Sequence, residues 1–325
     1  MPTNPRTWDD YTFGIICPLP HERMAAEAML DEHHAPIANQ QPDDNRYTFG
    51  RIGPHNVAIT SLREGERGQS AAARVAATFR WMRYNFVVGT ASGIPRPHLE
   101  DGDIRLGDIV VGAPERRGVP AVIEYCSGWA EQDGLRMLPS FTRPSFGQAQ
   151  AIHGVTCGHA HNGPTHLTHL ANVTRKLRDY AYPALKDALF DTRDPKREIA
   201  RPQRHGDRFM PDNLTAPFIR QSKDGYHDYP MVHYGTIASA DMTVRGAGLR
   251  DQLHDAIQAQ LGLEALCLTR EAGGVLHAWD TALVIQGICD YADSHKDGRW
   301  ENFAAAAAAA YMKDIILQFN PKVGS

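Results

Sequence analysis

The sequence has little of what a disulfide-stapled, membrane-spanning or nucleic-acid-coating protein requires. Its five cysteines, Cys17, Cys126, Cys157, Cys267 and Cys289, are odd in number, widely scattered and free of any Cys-x-x-Cys pair. That excludes a disulfide framework and reads as buried free thiols in a reducing compartment. No apolar run approaches the roughly 18 residues of a membrane-crossing helix. The opening MPTNPRTWDD is polar and acidic rather than basic and then apolar, so no secretory leader is read there and a soluble, cytoplasmic protein is expected. The formal net charge is −4. A chain with no basic surplus has nothing with which to neutralise a run of phosphates, so nucleic acid is not an expected partner. With 28 glycines and 21 prolines in 325 residues, the composition is also neither collagen-like nor of low complexity.

What is present is the material of a sizeable core: 42% of the residues are hydrophobic and 22% charged. Short β-branched runs alternate with stretches of helical spacing. Strands are predicted at Phe13–Cys17, Asn56–Leu62, Phe86–Gly89, Ile109–Gly112, Val119–Tyr125, Val232–Ile237, Ala265–Leu268 and Ala282–Ile288. Helices are predicted over Glu22–His33, with the His33-His34 pair at its end, over Ser70–Arg83, and over Phe303–Leu317, where seven consecutive alanines favour a closely packed terminal helix. This alternation predicts an α/β fold with a mostly parallel sheet covered on both faces. One domain over residues 1–325 is expected. Between about 126 and 229 it carries an excursion rich in Pro, His and Arg, read as lid-like, with helical patches at His166–Tyr180 and Pro183–Phe190.

In open α/β sheets ligands bind beyond the carboxyl ends of strands, so polar residues there are the candidates. After the first strand, PLPHER puts Glu22 at a helix start. Beyond Phe86–Gly89 the small residues of GTASGIP, among them Gly89, Thr90 and Ser92, are predicted to form a turn whose backbone amides face an anion or a sugar. After Ala265–Leu268, TREAGG supplies Arg270 and Glu271. After Ala282–Ile288, CDYADSHK supplies Asp290 and Asp293. Each carboxylate has a purely structural reading as well: Glu22 and Glu271 as first-turn acids facing a helix dipole, Asp290 as a helix cap.

At these residues the chain resembles the purine nucleoside phosphorylase and uridine phosphorylase family, in its fungal nucleosidase-like branch. The likeness is carried by FGIICPLPHERMAAEAML, GERGQSAAA, VVGTASGIP followed by DIRLGDIVVGAP, HYGTIASADMTVR, and VIQGICDYADSHKDGRWENFAAAAAAAYMKDI. It implies a three-layer α/β/α sandwich with a twisted mixed sheet, cleavage of an N-glycosidic bond in a small-molecule substrate, no cofactor, and a homo-oligomer. By the same resemblance Asp290 protonates or hydrogen-bonds the departing purine, which calls for a raised pKa; Glu22 positions the attacking water; and Glu271 binds the ribose hydroxyls. The arginines with which phosphorylases of the family hold phosphate are missing, since those places read ICPLPHER and NFVVG, which favours hydrolysis over phosphorolysis.

Two departures bear on the substrate. The branch usually reads FEMEAAG where this chain has LTREAGG, so Arg270 replaces an apolar methionine under the sugar. Ala91 and Ser92 replace two glycines. Both point either to a substrate with negative charge near Arg270, which Arg63 or Arg67 would help to hold, or to a scaffold turned to other chemistry: an isomerase or cyclase, or a non-catalytic nucleoside-sensing domain. Cys157, His159, His161, His166 and His169 cluster in CGHAHNGPTHLTHL, the first histidines read as lying on a loop and the last two at i and i+3 on a helix. Their spacing matches no established zinc pattern, so they are read as a polar part of the excursion and no metal is expected.

Overall fold

The computed structural model describes residues 6–320 apart from 38–42, 100–101, 117, 126–129, 132–133, 136–137, 141–142, 203, 205, 207–209, 212–213, 222–224, 241, 271, 280 and 297. Its principal strands are β1 Phe13–Cys17, β2 Thr48–Ile52, β3 His55–Ser61, β4 Tyr84–Gly93, β5 Ile109–Gly112, β6 Val122–Glu124, β7 Val232–Ala240, β8 Ala265–Arg270 and β9 Leu283–Asp290. Its α-helices are α1 Pro20–Glu27, α2 Gly68–Thr78, α3 Phe146–Asn162, α4 His166–Lys176, α5 Ala247–Leu261, α6 Ala272–Leu276 and α7 Glu301–Leu317.

The strands join one mixed sheet in which β3, β1, β4 and β9 run parallel side by side. β9 then pairs antiparallel with β5, which pairs parallel with β7, and β7 with β8. Finally β8 meets the end of β4 antiparallel, at Cys267 and Leu268 against Gly93 and Ser92. The sheet therefore closes on itself at one end, around the last residues of β4 and β9.

Alternation along the strands divides the core. Phe13, Ile15 and Cys17 of β1, Phe86 and Val88 of β4, and Leu283 and Ile285 of β9 face a cluster shared with α1, α3, α4 and α7. Ile16, Val87, Val284 and Ile288 face the opposite cluster, with α2 and α6, and α5 packs through Leu253 and Ile257 on a third. Strands buried on both faces are what a helix-covered parallel sheet demands. The expected three-layer α/β/α sandwich is the observed architecture.

The terminal helix sets the closest approach. Ala304–Ala310 are all at most 1% exposed, and a methyl group on Gly287 of β9 would run into the Ala304 backbone carbonyl. Only alanine on the helix and glycine on the strand let the two backbones come this near.

Several local expectations are corrected. The first helix ends at Glu27, because Glu32 and His33 pair as a short strand with Arg51 and Gly50. His34 is then not at a helix end; its Nδ1 meets the Tyr11 hydroxyl at 2.9 Å. The segment Pro183–Phe190 is not helical, and Leu189–Phe190 pairs with Glu198–Ile199. Residues 89–93 form no turn but continue β4. His159 and His161 lie within α3 rather than on a loop, whereas His166 and His169 do open a helix, α4. Of the cysteines, Cys17, Cys267 and Cys289 are buried free thiols, Cys157 is exposed, and Cys126 lies outside the described residues. Among the described residues no helix is long and apolar enough to cross a membrane.

Replacing Gly287 with alanine is expected to force β9 and α7 apart and destabilise the fold by roughly 1–3 kcal/mol, the usual cost of overpacking. Urea denaturation at constant m-value checks this; an unchanged midpoint would mean that the helix shifts freely.

Candidate active site

A cavity of about 780 Å³ opens at or just beyond the carboxyl ends of β1, β3, β4, β7, β8 and β9, within the size range of small-molecule sites. Among the described residues none between 126 and 229 lines it, although Leu185, Lys186, Ala188 and Phe190 line the adjoining cavity that holds Asp290 and Lys296. The helices α3 and α4 pack on α7, on the same face of the sheet as α1.

Glu22 is the third residue of α1 and only 2% exposed. Its Oε2 accepts the Leu19 amide at 2.8 Å, closing the helix start. Its Oε1 accepts the Thr90 amide at 2.7 Å and the Thr90 hydroxyl at 2.8 Å. The structural and functional readings of Glu22 thus coexist in one carboxylate. Burial pushes its pKa up to about 7, even though the three donors act in the other direction. Gly89 permits the approach, since a Cβ there would stand 2.9 Å from Glu22 Oε1. Thr90 is correspondingly corrected: its amide is committed to Glu22 rather than open to an anion.

Asp290 ends β9, opposite Ser92 of β4. Its Oδ2 takes the Lys296 ammonium at 2.8 Å, and its Oδ1 accepts the Ala292 amide at 2.7 Å. It is therefore not a helix cap but the head of a tight turn in which Ala292 adopts a positive φ of 52°. Burial would raise its pKa, but Lys296, the Ser92 hydroxyl and the Ala292 amide outweigh burial and hold it below the ordinary carboxylate value. This departs from the raised pKa that the resemblance implies. The physical reason is Lys296, whose own pKa is raised because attraction to Asp290 exceeds its desolvation. Asp290 faces a neighbouring cavity of about 330 Å³, and Lys296 and Cys289 line both that cavity and the larger one. Burial and the adjacent Asp290 push the Cys289 thiol well up, so it is no nucleophile.

Arg270, at the end of β8, is exposed and lines the larger cavity, as do Arg63, Arg67 and Arg245. These four arginines share the lining with the acidic Glu64 and Glu66. Glu271 lies outside the described residues. The sequence reading missed Lys296, although it is six residues from Asp290 in the quoted CDYADSHK, and it missed Arg245 and Gln286. Gln286 of β9 is 1% exposed and lines the cavity. Its carbonyl accepts the Thr269 hydroxyl at 3.1 Å while its Nε2 has no partner. A buried amide donor without an acceptor, facing a cavity, is a natural contact for a ligand.

No family model matches the chain. A nucleotide-binding leucine-rich repeat (NLR)-like protein of Hyaloscypha variabilis is 32% identical over 326 residues, covering 97% of this chain but 30% of that protein. The chain thus spans less than a third of the length of that relative. Among solved structures, the 5′-methylthioadenosine/S-adenosylhomocysteine nucleosidase of Neisseria meningitidis, in complex with methylthio-immucillin-A, aligns with a TM-score of 0.55 at 13% identity, over 94% of this chain and 99% of that one. Futalosine hydrolase of Helicobacter pylori strain 26695 aligns at 0.52 and 11%, over 95% and 99%. At these identities the likeness is one of fold, and the fold is that of nucleosidases.

Because Glu22 binds its proton more tightly in the folded chain than the ordinary carboxylate value would allow, its ionisation destabilises the fold. Stability should be highest near pH 4 and fall as pH rises through 7, by about 3 kcal/mol from this residue alone. Glu22→Gln should remove that fall, so denaturation curves of the two proteins should diverge across this window; parallel curves would refute the buried ionisation.

Proposed function

We propose that the cavity hydrolyses the N-glycosidic bond of a purine nucleoside or nucleotide, releasing the free base. The observation that carries this reading is a buried carboxylate, Glu22, whose pKa burial pushes up to about 7, on the same cavity as Lys296, the partner of Asp290. A general base works best with a pKa near the working pH. In this reading Glu22 orients a water and takes its proton as the water oxygen bonds to the anomeric carbon. The glycosidic bond breaks through an oxocarbenium-like sugar, and the electron pair leaves on the base.

Charge arriving on that base meets the Lys296 ammonium, positioned by Asp290 and Ser92. A charge-assisted hydrogen bond there stabilises the leaving group. The role assigned to Asp290 alone is thus shared with Lys296. The unpartnered amide of Gln286 supplies a donor to an acceptor on the base. Glu271 is kept as the sugar-hydroxyl ligand on the resemblance alone. The rim arginines favour a substrate carrying phosphate on its 5′ side, since fork-shaped guanidinium groups fit phosphate oxygens. A neutral nucleoside gains little from them. The cavity has the volume for such a ligand, and its mainly apolar surface is punctuated by Glu22, Gln286 and Lys296.

The NLR-like relative supports a second reading, in which the same cavity belongs to a receptor-like protein and binds a nucleotide without turning it over.

Incubation with adenosine, guanosine and their 5′-phosphates, without added phosphate and with chromatographic detection of free base, separates the readings. Base release is expected, with kcat/KM rising with pH through about 7 as Glu22 ionises. Glu22→Gln and Asp290→Asn should each lower it by roughly 10²-fold or more. Arg270→Ala should cost phosphorylated substrates about 10-fold more than unphosphorylated ones, the value of a hydrogen bond to a charged group. Saturable binding with no base release would favour the sensing role, and neither binding nor release would overturn both.

A further inference from the structure

The excursion's histidines form a second constellation, away from the cavity and beside the far end of α7. α3 ends at Asn162, and Gly163, at φ 77°, turns the chain so that α4 starts three residues later. The turn folds the start of α4 back against the last turn of α3. His159 and His166 then lie with ring centroids 5.2 Å apart, and both meet Asp314 of α7. One ring nitrogen of each histidine and one carboxylate oxygen of Asp314 fall within 4.8 Å of one another. His159 Nε2 is 2.8 Å from Asp314 Oδ2, and His169 Nε2 is 3.2 Å from Asp314 Oδ1. The Thr165 hydroxyl donates to Oδ2 at 2.6 Å.

His166 is the telling member. It is 1% exposed. Its Nε2 lies 3.4 Å from the Pro230 carbonyl, while its Nδ1 has no partner at all. A carbonyl can only accept, so Nε2 carries the proton and Nδ1 keeps its lone pair. A buried imidazole with one nitrogen donating to a backbone carbonyl and the other left as a bare acceptor is arranged as a metal ligand is by its outer shell.

We propose that His159, His166 and Asp314 bind a divalent transition metal, with zinc the best match, and that His169 completes the tetrahedron. Two or three imidazoles and a carboxylate suit zinc, whose ligands stand about 2.0–2.2 Å from the ion. Ligands so placed are about 3.3 Å apart, a spacing reached by small shifts in which the 2.8 Å His159–Asp314 pair opens and the wider separations, none above 4.8 Å, close. His159 and His169 retain side-chain exposures of 15% and 20%, which gives the ion a way in. The bound metal ties α3, α4 and α7 together. It takes no part in chemistry at the cavity: Glu301 is the residue through which α7 lines the cavity, and Asp314 lies 13 residues, about 20 Å, further along that helix. The competing account is a hydrogen-bonded polar cluster that takes up no metal.

The test uses the full chain, stripped with chelator and then titrated with cobalt(II) as a spectroscopic probe and with zinc by calorimetry. The expected result is one metal per chain, cobalt d–d absorption of tetrahedral strength bleached by zinc, and a higher melting temperature with zinc. Losing an inner ligand costs more than the 10–100-fold typical of an outer-shell partner, so His159→Gln should weaken binding by roughly 100-fold or more. His161→Ala and Cys157→Ala, which alter exposed neighbours on α3, should leave it unchanged. His166→Gln should match His159→Gln; should it fail to fold, the partly exposed His159 decides the matter alone. Absence of stoichiometric uptake, or equal uptake by His159→Gln and His161→Ala, overturns the proposal.

Discussion

The contact between α7 and β9 is the constraint on which the rest of the molecule depends. Seven consecutive alanines are buried on all sides of the helix, and Gly287 of β9 leaves no room for even a methyl group against the Ala304 carbonyl, so the helix axis is held at a fixed, short distance from the middle of the sheet. A helix held that tightly acts as a ruler. Its first residue, Glu301, reaches the cavity, and three to four turns on, Asp314 reaches the histidines of α3 and α4. The strand it presses on carries Gln286 into the cavity and ends at Asp290. Close packing, which has nothing to do with ligand chemistry, thereby fixes the positions of the groups that do.

Around the cavity the same low-polarity surroundings drive two carboxylates in opposite directions. Glu22 is offered only neutral donors, two amides and a hydroxyl, and these do not offset its loss of water, so its proton is held up to about pH 7. Asp290 is offered a cation as well, and the 2.8 Å contact with Lys296 reverses the sign. Two acids whose environments separate their affinities for protons are the hallmark of a site that both takes and stabilises protons. Here the buried glutamate keeps its proton up to about pH 7, while the aspartate, with a lysine in front of it, stays ionised.

Much of the frame was legible because burial leaves a mark on sequence. FGIIC, IVVG and Ala282–Ile288 read as strands since nearly every residue in them had to be apolar or small to lie between two helical layers, and the alanine run could hardly be anything but a packed helix. Glu22 and Asp290 were legible by their places after strands and by the resemblance. What failed had long-range causes. Glu32 and His33 have helical spacing but were claimed by pairing with β2, and residues 89–93 look like a glycine turn but were claimed by β9 and β8. Lys296, Arg245 and Gln286 left no local signal, since a lysine in a loop or a glutamine in a strand becomes informative only when the fold shows what it faces.

The division of labour between the two sides of the sheet follows from this geometry. Most of the described residues that line the larger cavity come from strand ends and the loops just beyond them, together with Glu301, whereas the excursion meets the rest of the chain through α7, through the buried Arg204–Asp108 and Arg201–Asp103 pairs, and through Tyr291, whose hydroxyl donates to Asp187 at 2.6 Å. The described part of the excursion braces the helix and the turn that carry Glu301 and Lys296, and through Leu185, Lys186, Ala188 and Phe190 it lines the adjoining cavity. Substitutions at the strand ends should alter which ligand is held, and substitutions in the excursion should alter how firmly the holding groups are fixed. The four rim arginines belong to the first class and the histidine–aspartate cluster to the second, so a change in one leaves the physical basis of the other intact.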